Sequence, residues 1–103
     1  MSDFVKVAST AEIPQGMMKK VMLGTQPVLI ANVEGKYYAI GDVCTHAGGP
    51  LHQGRMSGND VVCPWHGSHF DLATGQVKRG PAFRAEPAYE VTVEGDEIKL
   101  RSK

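Results

Sequence analysis

Glu90-Val91-Thr92-Val93-Glu94-Gly95-Asp96-Glu97-Ile98-Lys99-Leu100-Arg101 alternates apolar and polar residues on either side of a Gly-Asp step. With Gly95-Asp96 as a two-residue turn, Val93 faces Ile98 and Val91 faces Leu100 on one side. Glu90 then meets Arg101 and Thr92 meets Lys99 on the other. One register satisfies both faces, as a half-buried hairpin requires.

Moving outward, Val28 to Ile40 predicts a second hairpin turning at Glu34-Gly35, with Tyr37 and Tyr38 adding strand propensity. Phe4 to Ala8 alternates weakly and predicts a strand, and Ser9 to Gly16 predicts one short helical turn or a loop. Val61-Val62-Cys63 and His69-Phe70-Asp71 predict two very short strands flanking a tight turn. Twelve Gly and six Pro in 103 residues separate these short runs, and no stretch carries helical periodicity. The expected fold class is all-β, a small antiparallel sandwich or barrel in a single domain over 1–103. Residues 1–41 and 72–103 form the scaffold, and a loop-built subdomain at 42–71 is inserted between scaffold strands.

Eleven basic and eleven acidic residues cancel, so no overall field draws the chain to nucleic acid or an anionic membrane. The longest apolar run, Val28 to Ala31, is far too short to span a bilayer. Met1-Ser2-Asp3-Phe4-Val5-Lys6 lacks the basic start and apolar stretch of a signal peptide, which makes a cytoplasmic location the expectation.

Cysteine and histidine are unevenly placed. Cys44, His46, His52, Cys63, His66 and His69 all fall between residues 44 and 69, and the rest of the chain has neither type. Within this segment two arms stand out: Cys44-Thr45-His46 and, after sixteen residues, Cys63-Pro64-Trp65-His66. Each arm offers a thiolate and an imidazole, a donor set that selects iron, zinc or copper over calcium or magnesium. Zinc sites more often draw two like ligands from one arm. Two arms alike in kind suit a two-metal unit that both arms bridge, each sending sulfur to one end and nitrogen to the other.

The pattern Cys44-x-His46, sixteen residues, Cys63-x-x-His66 followed by Gly67-Ser68 resembles a Rieske [2Fe–2S] motif. In such centres two His replace two Cys on one iron. Cys63-Pro64-Trp65-His66-Gly67-Ser68-His69-Phe70-Asp71 is similar to the family's second loop almost residue for residue. Ala73-Thr74-Gly75 is similar to the turn after it, and Gly80-Pro81-Ala82 sits where the family carries a proline loop over the cluster. The resemblance covers nearly the whole chain and implies a Rieske-type fold with one [2Fe–2S] cluster held in the 42–71 subdomain. Cys44 and Cys63 would bind the inner iron, and His46 and His66 the outer one.

Departures from the respiratory-complex members are informative. Gly49 and Trp65 stand where those proteins place a second, disulfide-forming Cys pair, and Phe70 stands where they place a Tyr. Ser68 matches the hydroxyl that bonds a bridging sulfide, and no membrane anchor is present in the sequence. The chain is similar to the low-potential ferredoxin components of ring-hydroxylating oxygenases. That likeness implies a monomeric one-electron carrier between a ferredoxin reductase and a terminal oxygenase, docking near His46, His66 and Pro81. It would not be an enzyme by itself, since four protein ligands leave no open iron position (contrast). A small Rieske subunit of an NAD(P)H-dependent nitrite reductase is the alternative, and a zinc-stabilised interaction module the third reading. His52 and His69 read as loop or surface histidines, Trp65 as packing over the loops, and Met17, Met18, Met22 and Met56 as core or loop fillers. Lys78, Arg79 and Arg84 form a modest basic group near the proline loop, a solvated face or a docking surface for an acidic partner.

Overall fold

The computed structural model describes residues 4–45, 48–65, 67–80, 82 and 84–102. In chain order its strands are β1 Val5–Ser9, β2 Met18–Leu23, β3 Gln26–Val33, β4 Lys36–Gly41, β5 Arg55–Ser57, β6 Asp60–Val62, β7 His69–Asp71, β8 Val77–Arg79, β9 Ala88–Glu94 and β10 Glu97–Ser102. Short 3-10 turns lie at Thr10–Glu12 and Leu51–Gln53. The larger sheet runs β1-β10-β9-β4-β3-β2, and its two edges, β1 and β2, approach each other so that it curls almost into a barrel. The smaller sheet runs β5-β6-β7-β8, and every pairing in both is antiparallel. The all-β expectation is met. No helix among the described residues is long and apolar enough to cross a membrane.

The C-terminal hairpin has the expected register: Val93 opposite Ile98, Val91 opposite Leu100, Thr92 opposite Lys99 and Glu90 opposite Arg101. Ile98 and Leu100 are fully buried, whereas Val93 is 42% exposed, so the β10 half of the apolar face supplies the core. The β3–β4 hairpin turns at Glu34 (φ 54°) and Gly35 (φ 90°), both left-handed, as a two-residue turn matched to strand twist demands.

Strand β3 explains how two cores arise from one chain. Val28, Leu29, Ile30 and Ala31 are all fully buried. Val28 and Ile30 point into the barrel beside Ile13, Val21, Ile98 and Leu100. Leu29 and Ala31 point the other way, onto Val61, Phe70, Leu72 and both cysteines. A strand buried on both faces loses alternation and reads as a continuous apolar run. Each such aliphatic side chain contributes about 1.5–3 kcal/mol by leaving water.

Three features depart from the sequence reading. Strand β2 was not expected, because an edge strand whose only buried residue is Val21 shows no alternation. Its Met22 is half exposed, as is Met17 just before it, while Met18 and Met56 do pack on the core. Strands β5 and β8, also unexpected, hold one apolar residue each, Met56 and Val77, and bury none, so they give no alternation to read. Because β8 pairs with β7, the small sheet continues past Asp71 to Arg79, into residues the sequence reading gives to the scaffold.

The segment after β8 is a strap that returns to the barrel across the small sheet. Glu86 N–H donates to the Gly75 carbonyl at 2.7 Å, and Gly41 N–H donates to the Pro87 carbonyl at 2.8 Å. Gly75 has φ +79°, and a Cβ there would stand 2.2 Å from the Glu86 carbonyl oxygen. Gly24 also has a positive φ, +64°, but open space around it. Gly24→Ala should therefore cost about 1 kcal/mol in backbone strain, the low end for a left-handed non-glycine. Gly75→Ala adds a backbone collision and should cost at least about twice that. Urea unfolding midpoints compare the two, and equal shifts would show that the strap yields freely.

Candidate metal centre

The two Cys/His arms form loops of one design. In the first, Cys44 N–H donates to the Gly49 carbonyl at 2.8 Å, and Gly48 N–H donates to the Cys44 carbonyl at 2.8 Å. In the second, Cys63 N–H donates to the Ser68 carbonyl at 2.8 Å, and Gly67 N–H donates to the Cys63 carbonyl at 3.1 Å. Each loop thus closes through the residues four and five positions after its cysteine. The closing residue is left-handed in both, Gly48 at φ 74° and Gly67 at φ 77°, a conformation glycine adopts without penalty. That shared Cys-to-Gly spacing is visible in the sequence and was the signal left unread. His46 and His66 lie outside the described residues, as does Pro81.

Cys44 and Cys63 are each 2% exposed, neither is in a disulfide, and both belong to one apolar cluster with Phe70 and Leu72. The loops face one another across Gly49. A Cβ at this position would stand 3.3 Å from Cys63 Sγ and 3.0 Å from the Trp65 ring. The glycine of the first loop is therefore pressed against the sulfur of the second, where a side chain would intrude. Gly49 and Trp65, the positions of the missing cysteine pair, are in contact: an indole on a glycine links the loops there. Trp65 remains 57% exposed, so it covers the loops from outside.

The strap is tied to both loops. Thr45 Oγ1 donates to the Arg84 carbonyl at 2.6 Å, and Ala82 N–H donates to Ser68 Oγ at 3.0 Å. Ser68 is fully buried, and accepting from Ala82 leaves its own O–H proton for another acceptor. Phe70 is fully buried in the cluster around the two cysteines.

The remaining histidines have carboxylate partners. Asp42, 2% exposed, accepts the His52 N–H on Oδ1 at 2.8 Å, and its Oδ2 lies 2.8 Å from His52 Nδ1. His69 Nδ1 lies 3.6 Å from Asp60 Oδ2.

Glu86 is the site residue that sequence reasoning missed. It is 4% exposed, one carboxyl oxygen has no hydrogen-bond partner, and a Cβ on Gly41 would collide with the other. Burial pushes its pKa up to about 8; the Thr45 backbone N–H opposes this, and the Asp42 charge adds to it. Tyr89 is raised as well, by burial and then by Glu86. A lone Glu between Ala85 and Pro87 carries no sequence signal of burial.

The donor set fits a soft-metal group. Two buried thiols on opposed, twinned loops, with glycine backbone held against a sulfur, supply soft donors and room for little besides the group they would hold.

Comparison with known proteins agrees with this geometry. The profile of the Rieske [2Fe-2S] domain matches residues 3–94. The biphenyl dioxygenase ferredoxin subunit of Pseudomonas sp. (strain KKS102) is 35% identical over 96 residues, covering 92% of this chain and 88% of that protein. The ferredoxin of carbazole 1,9a-dioxygenase from Nocardioides aromaticivorans IC177 superposes with a TM-score of 0.92 at 28% identity, covering 97% of this chain and 98% of that one. A structure described as a complex of reduced oxygenase and oxidized ferredoxin in carbazole 1,9a-dioxygenase contains a chain matching with a TM-score of 0.90 at 28% identity, over 97% and 95%. Apoptosis-inducing factor 3 of Mus musculus is 32% identical over 96 residues, and this chain spans only 16% of its length.

Proposed function

Because the chain belongs to the Rieske [2Fe–2S] family, we propose that it is a one-electron carrier serving an oxygenase, with Cys44 and Cys63 on one iron and His46 and His66 on the other. The observation that carries this reading is the pair of buried, disulfide-free thiols on twinned loops within one apolar cluster. The relatives named as dioxygenase ferredoxins, matched over nearly their full length, support the oxygenase as electron acceptor; a reductase is the donor this reading calls for. Undisulfided buried cysteines also suit the cytoplasm.

When bound, the cluster takes up and releases one electron. The chain's own part is to hold it and set its surroundings. Two thiolates instead of four make the oxidised unit formally neutral, so the added electron meets less charge than in a four-cysteine centre, and the potential lies higher. Gly49 lets backbone approach Cys63 Sγ, and Ser68 keeps a hydroxyl proton free to donate while its oxygen anchors the strap. Glu86, neutral up to about pH 8, keeps one more negative charge away from the loops.

Anaerobic reconstitution with iron and sulfide should yield a red-brown protein with about two irons and two sulfides per chain, its visible bands bleaching on one-electron reduction. A colourless chain that takes up zinc and no sulfide would overturn the reading.

A further inference from the structure

From the placement of Arg55, Arg79 and Arg84 we infer that the loop end of the molecule is a cationic collar built to dock an acidic face of a redox protein. The inference deepens the electron-carrier reading and rests on it.

Backbone relations pin each arginine beside a Cys/His loop. Arg55 in β5 pairs with Val62, the residue before Cys63. Arg79 in β8 pairs with His69, the residue after Ser68. The Arg84 carbonyl accepts the hydroxyl of Thr45, the residue after Cys44. Directly opposed residues of neighbouring strands share a face, so Arg55, Val62, His69 and Arg79 form one rung across the small sheet. The opposite face, with Val61 and Phe70, is buried in the core. The arginines therefore project outward around the loops, and all three are exposed.

Formal neutrality conceals this. Residues 42–87 hold four Lys or Arg and four Asp or Glu. Two of the four acids, Asp42 and Glu86, are buried at 2% and 4% exposure. Asp60 is shared by His69 at 3.6 Å and Lys78 at 4.0 Å. Asp71 turns its oxygens onto Ala73 N–H and the Thr74 hydroxyl. Among the described residues no carboxylate pairs with Arg55, Arg79 or Arg84.

The exposed acids lie at the other end. Glu34 sits in the β3–β4 turn, Asp96 in the β9–β10 turn, and Glu94 just before it. Strand β4 runs from the first turn to Gly41, just before Cys44, and β9 runs antiparallel beside it. Six residues of strand separate the ends by roughly 20 Å. That exceeds the screening length of about 8 Å at physiological salt. A partner approaching the loops meets the three unpaired arginines, with Lys78 beside them turned toward Asp60. Guanidinium groups, planar and always charged, suit bidentate pairing with carboxylates.

Small outer-sphere oxidants of opposite charge test this on the reduced holo-protein. Hexacyanoferrate(III), an anion, and tris(1,10-phenanthroline)cobalt(III), a cation, each take one electron from the cluster and are themselves reduced by one electron. Stopped-flow recovery of the visible bands should slow with added salt for the anion relative to the cation. The anion-to-cation rate ratio should fall about tenfold as ionic strength rises from about 0.01 M to 0.15 M. Using the ratio cancels changes in driving force, and comparing variants cancels the negative charge of the added electron. The double variant Arg55→Glu/Arg79→Glu should abolish or invert that salt dependence. Lys20→Glu/Lys36→Glu, which changes net charge equally from the scaffold, should leave it nearly intact. Equal effects of the two double variants, or none from the arginines, would overturn the collar while leaving the carrier reading standing. A reduced protein whose bands return with neither oxidant would overturn the carrier reading, and the collar with it.

Discussion

Cys44→Ser and Cys63→Ser should each give a colourless protein with background iron and sulfide. A thiolate lost from one of two buried positions leaves an iron short of a ligand inside an apolar cluster, where water cannot replace it well. The loss should extend to the fold of the small sheet, because in small metal-nucleated sites binding energy of about 10 kcal/mol or more is also folding energy. It should stop at the barrel. Val28, Ile30, Ile98 and Leu100 form a core of their own that contains neither cysteine. Amide exchange should therefore lose protection in β5 to β8 and retain it in β3 and β10. His52→Ala and His69→Ala are the controls, expected to stay red-brown because the proposed ligand set, Cys44, His46, Cys63 and His66, does not include them. A coloured Cys44→Ser protein with a full complement of iron would remove Cys44 from the ligand set. A colourless His52→Ala protein would add His52 to it.

Stability should fall as pH rises from about 4.5 to about 8, and Glu86→Gln should flatten that decline. The folded-state pKa is raised from 4.5 to about 8, chiefly by burial. Between those values the folded chain holds a proton that the unfolded chain has released, so raising the pH favours unfolding. The contribution is fully present below 4.5 and fully lost above about 8. At roughly 1.4 kcal/mol per unit, it amounts to at most about 5 kcal/mol. Glutamine carries no proton to lose and can still accept from the Thr45 N–H, so its unfolding midpoint should hardly change over this range. At pH 9 the variant should be the more stable protein by several kcal/mol, and near pH 4 the two should be alike. Parallel pH profiles would show that the carboxyl is hydrated. The burial of the carboxyl group, with one oxygen unpartnered and the other against Gly41, would then have no energetic consequence.

Both effects start in side chains whose surroundings were unequally legible. The hairpins could be read because alternation and turn residues are local: Gly95-Asp96 and Glu34-Gly35 specify where the chain reverses, and the reversal dictates the register. The metal arms could be read because ligand chemistry restricts residue type and spacing within each loop. Strand β2 and the three-residue strands β5 and β8 were not legible. All three are edge strands with few buried side chains, so their residues carry almost no apolar alternation although their partners are near in sequence.

An all-β chain, the two hairpin registers and a Cys/His segment with soft-metal chemistry are legible from the residues alone. Each of these follows from interactions within a few residues. Tertiary structure alone decided three further matters. It pressed Gly49 of one loop against the sulfur of the other, it sealed Glu86 beneath the strap beside Thr45, and it gathered Arg55, Arg79 and Arg84 at one end of a chain with no net charge. The physical reason is common to all three. Close contact, desolvation and electric field depend on distance in space, and the contacts of Gly49 with Cys63, Glu86 with Gly75 and Thr45 with Arg84 that fix those distances join residues well apart along the chain.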